Sequence, residues 1–185
     1  MGAYYLVINP VKRQYLNPGR FGEDIKFPGV LAGPFCLRAL KMLIADNAAS
    51  DHNPASFWSA WFGDPVILAS DDSGPPNPRG FTTATSNDPK RNLNRMARDE
   101  FTDISYRAIA ELCWNNNDIC REMIEKAKND SSLFIDLVNV RLQYRVPALE
   151  HTFLEVFGQS WRKKYDQTAR ECLWWQPLPP IDWPL

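Results

Sequence analysis

The chain has 185 residues, 44% of them apolar and 23% charged, with 21 basic against 22 acidic side chains for a formal net charge of −1. Such a length can bury about two thirds of the unfolded surface in one core, while near-neutrality excludes a global field that would drive nucleic-acid or anionic-membrane binding. No apolar run approaches the ~18 residues that cross a bilayer, and the scattered cysteines Cys36, Cys113, Cys120 and Cys172 offer no disulfide framework or metal-ligand spacing, so buried free thiols are expected.

The opening Met1-Gly2-Ala3-Tyr4-Tyr5 has no basic leader running into an apolar stretch, and a cytoplasmic protein is expected. Tyr4 to Ile8 is a short aromatic and β-branched run closed by Asn9-Pro10, and Arg13 to Leu16 is a second, closed by Asn17-Pro18-Gly19; together they predict a hairpin. From Gly33 to Asp46, the residues Leu37, Leu40, Met42, Leu43 and Ile44 predict a buried helix with Pro34 in its first turn. After the polar segment around His52, a core strand is expected from about Pro65, with Trp58 and Trp61 packing at its entry.

Asp71 to Lys90 holds four Pro and two Gly among Ser, Thr, Asn and Asp, which predicts a long irregular loop. The second half reads as helical. Asp103 can cap a helix carrying Ile109, Leu112 and Cys113; the run Asn115-Asn116-Asn117-Asp118 ends it and starts another with Cys120, Met123, Ile124 and Ala127; Pro147 opens a third with Leu149, Phe153, Val156, Phe157 and Trp161. Between them, Ser131-Ser132 reads as a helix start, whereas Val138, Val140, Leu142, Tyr144 and Val146 alternate with polar residues at strand period, and a helix turning into a strand is favoured. The sum is an α+β domain over residues 1–172, a small and mainly antiparallel sheet packed against several helices, followed by a Pro/Trp-rich tail over 173–185.

Three constellations could carry function. Asp64, Asp71 and Asp72, with Ser70 and Ser73 nearby, supply oxygen ligands of the kind a divalent cation such as magnesium takes, against the simpler reading of a solvated acidic turn. Arg91, Arg95 and Arg98 fall at helical spacing and could hold phosphate or an acidic partner, against a solvated face paired with Asp99 and Glu100; Arg162, Lys163 and Lys164 make a smaller basic patch. Trp174, Trp175 and Trp183 in the proline-rich tail offer contact surface to the chain's own domain or to a partner. His52 and His151 lie near no nucleophile motif, and two distant histidines make no zinc site.

The pattern Gly2-Ala3-Tyr4-Tyr5-Leu6-Val7-Ile8-Asn9, then Lys12, Gln14-Tyr15, Pro18 and Arg20-Phe21-Gly22, with Trp61-Phe62-Gly63-Asp64 and Phe101-Thr102-Asp103-Ile104 downstream, resembles a family of small uncharacterised proteins over about the first hundred residues. The resemblance brings no activity with it. Aromatic excess, the tryptophan tail and the lack of a nucleophile or metal signature point to a non-enzymatic interaction or assembly protein, of the immunity or antitoxin kind, binding another protein or itself and needing no cofactor. The rivals are a metal-dependent phosphate or nucleotide hydrolase built on Asp64, Asp71, Asp72 and the arginines, and local nucleic-acid binding through the arginine stripe.

Overall fold

The structure is a computed structural model and describes residues 4–24, 26, 33–46, 57–71, 92–161, 163–165 and 167. The predicted hairpin forms from β1 (Tyr5–Asn9) and β2 (Gln14–Leu16), antiparallel, with Val7 opposite Leu16 and Asn9 opposite Gln14. Its turn is held by the Asn9 side chain, whose Oδ1 accepts from the Lys12 amide at 2.9 Å. The predicted core strand is β3 (Ile67–Ser70), antiparallel on the other side of β1, and a two-residue β4 (Thr102–Asp103) adds to β2 in parallel. The order is therefore β3-β1-β2-β4, a small and mainly antiparallel sheet in an α+β fold.

Alternation along these strands buries both faces. Val7 and Leu16 face a large core shared with α1 (Pro34–Ile44), α3 (Ser105–Asn115), α4 (Asn117–Ala127), α5 (Ser131–Tyr144) and α6 (Pro147–Phe157). Leu6, Ile8, Tyr15 and Ala69 face a second, smaller cluster built with Leu93, Met96 and Ala97 of α2 (Leu93–Glu100). The sheet is thus a middle layer, and its strands are apolar at successive positions because each position meets a helix.

Local chemistry sets the helix ends. Asn92 and Asn116 cap α2 and α4, and Pro34 and Pro147 occupy the first turns of α1 and α6, where a missing N–H costs nothing. The cap of α1 comes from afar: Glu23 Oε1 accepts from the Phe35 amide at 2.6 Å and Oε2 from Cys36 at 3.1 Å. Asp103 Oδ1 accepts from the Ser105 amide at 2.9 Å at the start of α3.

The strand expected from Val138 to Val146 is corrected: α5 remains helical through Tyr144 and ends at Arg145 in a left-handed conformation. The physical reason is burial on almost every side. Leu133, Phe134, Ile135, Asp136, Leu137, Val138, Val140 and Arg141 are all buried, so α5 lacks the single apolar stripe by which an amphipathic helix is recognised.

Candidate functional site

Asp64 and Asp71 stand at opposite ends of β3 rather than together. Asp64 Oδ2 accepts from the Asn9 side chain at 3.0 Å, at the end of β1, whereas Asp71 Oδ1 accepts from the Tyr4 amide at 2.8 Å, at its start. Tyr4 and Asn9 are five residues apart on an extended chain, roughly 17 Å at about 3.3 Å per residue. The strand between them holds Asp64 and Asp71 apart, so these two carboxylates do not share one cation. Asp72 lies outside the described residues, and among those residues no three His, Cys, Asp or Glu side chains gather as metal ligands.

Of the arginine stripe, Arg95 and Arg98 share the exposed face of α2, while Arg91 lies outside the described residues. Arg98 Nε donates to Asn94 of its own helix at 2.9 Å. The two ends of the expected loop do meet, since the Asn92 side chain donates to the Asp71 carbonyl at 2.6 Å. Lys164 lies over the Phe134 and Phe157 rings, at 5.0 and 4.7 Å from their centroids, so it packs on the helical core. Trp174, Trp175 and Trp183 fall outside the described residues.

A partly buried polar cluster that the sequence did not disclose joins three segments around the buried Asp136. Arg20 donates to Asp136 Oδ1 at 2.9 Å, the Tyr106 hydroxyl donates to the same oxygen at 2.6 Å, and Asn139 lies 3.4 Å from that hydroxyl. Desolvation pushes the Asp136 carboxyl up, with Arg20 and Tyr106 pulling it back; burial and the nearby Asp136 charge push the Tyr106 phenol up. These groups largely satisfy one another, and the cluster reads as an internal clasp.

An open groove lies elsewhere, where the end of α3 and the starts of α4 and α6 converge. Trp114, Asn117, Arg121, Pro147, His151 and Thr152 line a groove of about 570 Å³. Trp114 is 60% exposed at this groove. One wall is cross-braced: Arg121 pairs with Glu155 at 2.8 Å, and His151 Nδ1 lies 3.4 Å from the same carboxylate. Cys113 of α3 and Cys120 of α4 are buried free thiols in the core. The arrangement offers an indole face, apolar helix starts and polar groups at the edge, which suits binding more than bond-making.

Trp114 carries the one signal that could have exposed this site in sequence. It follows Cys113 directly, on the side of α3 away from Ile109, Leu112 and Cys113, where a solvated helix face would ordinarily be polar. The other residues come from segments too distant for any local pattern. Comparison with protein-family models, curated proteins and solved structures yields no match to this chain.

Proposed function

We propose that this chain is a protein-interaction module that docks a protein partner in the groove between α3, α4 and α6, without chemistry of its own. The observation that carries this reading is Trp114, a large aromatic 60% exposed beside a concave surface. Tryptophan is costly to leave in water and is enriched among the few residues that dominate binding energy once a partner covers them and excludes solvent. The partner would place apolar side chains against Trp114, Pro147 and Ala148 and satisfy Asn117, Arg121 and His151 at the margin. Asp64 lies apart from Asp71, so a cation-dependent hydrolase would rest on the Asp71–Asp72 turn alone, of which Asp72 lies outside the described residues.

Affinity capture from the native source, run in parallel with the wild-type chain and Trp114→Ala, tests the reading. The expected result is one protein enriched by the wild type and lost with the variant, while the variant melts within a few degrees of the wild type. Equal capture by both chains, or no enriched protein with either, would overturn it.

A further inference from the structure

Two short ladders of side chains line the groove. Asn117 and Arg121 follow one another on one face of α4, and Pro147 and Ala148 stand one turn before His151 and Thr152 on α6. The bond from Arg121 to Glu155 ties the two helices side by side, with their starts at the same end. The groove therefore has a direction. Trp114, Pro147 and Ala148 make an apolar end, and Arg121 and His151 stand one helical turn further on, about 5 Å.

The charge along that direction is one-sided. Among the described residues that line the groove none is acidic, whereas Arg121 and His151 both do. Glu155 braces these two without lining the groove, and it accepts from Arg121 through Nη2. A guanidinium carries five N–H donors, and an ion pair exposed to this degree, 57% at Arg121 and 41% at Glu155, is weak, so Arg121 keeps both charge and donors for a second acceptor.

Backbone donors contribute less. Asn116 Oδ1 accepts from the Asp118 and Ile119 amides at 3.0 and 3.1 Å, the Asn116 carbonyl accepts from the Cys120 amide at 3.1 Å, and Pro147 has no N–H to give. A chain-terminal carboxylate is commonly captured by a nest of free backbone amides. Two side-chain cations on neighbouring helices suit an acidic side chain better.

Resting on the docking role given to the groove above, we propose that the partner segment carries an aspartate or glutamate beside an apolar side chain. The apolar group covers Trp114, and the carboxylate lies between Arg121 and His151 one turn away. Glu155 holds both cations in place for it.

Three small probes of one shape test this on the full chain: 3-phenylpropionate, the neutral 3-phenylpropanamide and the cationic 3-phenylpropylamine. Each is titrated at low ionic strength while the backbone amide NMR signals of Asn117, Ala148 and His151 are followed. The expected result is binding of the carboxylate about fivefold tighter than the amide, with the amine weakest. Arg121→Gln should bring the carboxylate down to the amide, whereas Trp114→Ala should weaken both. The ranking of the three probes on the wild type does not depend on either variant folding. Equal binding of carboxylate and amide would overturn the acidic partner while leaving docking at Trp114 intact, and tighter binding of the amine would overturn it in favour of a basic partner drawn to Glu155. Groove signals that move with protein concentration alone would make a second copy of the chain the occupant, and no shift with any probe would also overturn the proposal, docking itself being decided by the capture experiment with Trp114→Ala.

Discussion

The Arg20 guanidinium and the Asp136 carboxylate lie 2.9 Å apart, binding the segment after the hairpin to the central helix α5 across 116 positions of sequence. Asp136 is 3% exposed, and its Oδ1 also accepts from Tyr106 at 2.6 Å. Asp136→Leu would strand both donors, and a loss of about 2–3 kcal/mol is expected, below the full range for a buried pair because Arg20 keeps some water. Asp136→Asn keeps an oxygen acceptor and should lose less, as read from urea unfolding at neutral pH.

The same residue gives a pH signature. Desolvation raises the Asp136 pKa in the folded state, so the native protein holds that proton more tightly than the unfolded chain does, and ionisation costs stability. The cost develops as pH rises from the unfolded value of about 3.9 through the higher folded one, and is complete above it. Wild-type stability relative to Asp136→Asn should therefore fall across the acid range and flatten towards neutrality. A relative stability that climbs with pH would contradict the raised value.

Trp61 is 0% exposed, and its indole donates to Gln14 Oε1 at 2.8 Å. Trp61→Phe should cost about 1–3 kcal/mol, from lost volume and a carbonyl left without its donor, whereas Trp61→Ala should cost about 3–5 kcal/mol. Denaturant titration measures both. A cost below about 0.5 kcal/mol for Trp61→Phe would mean that the hydrogen bond contributes nothing.

A Cβ at Gly33 would run into the Glu23 carboxylate that caps α1, so a side chain there displaces the cap. Glu23→Ala should cost about 1–2 kcal/mol, the ordinary worth of a lost cap. Gly33→Ala should cost at least as much in the wild-type background but less when Glu23 is already Ala, since the clash is then gone. Additive losses in the double-mutant cycle would refute the contact.

Trp114→Ala should leave stability within about 0.5 kcal/mol, because the side chain is mostly exposed, while weakening the docking proposed above by tenfold or more. Calorimetric melting checks the first statement. Titration against the captured partner checks the second.

Asn9 binds Asp64, Gln14 binds Trp61, and Arg20 lies 3.8 Å from Asp103, so residues from separate stretches of the chain are partners in space. They hold the hairpin, the turn before β3 and the start of α3 together. None of them lines the groove.

Hairpin and helix starts were legible because their causes are local: Asn116 caps its own helix, Pro147 fixes its own φ, and Tyr5 to Asn9 carries its own β-branched run. The course of α5 was not, because Val138, Val140 and Leu142 alternate with Asn139 and Arg141 in a helix enclosed on nearly all sides, where buried Arg141 pairs with Glu150 at 2.9 Å. Neither was the site. Asp64 and Asp71 are close in sequence yet divided by a strand that extends the chain, while Trp114, Arg121 and His151 meet only because three helices pack with two of their starts at one place. Propensity, capping and turn chemistry act over a few residues and so are written in the chain; which side chains share a groove follows from helix packing, which no short stretch of sequence contains.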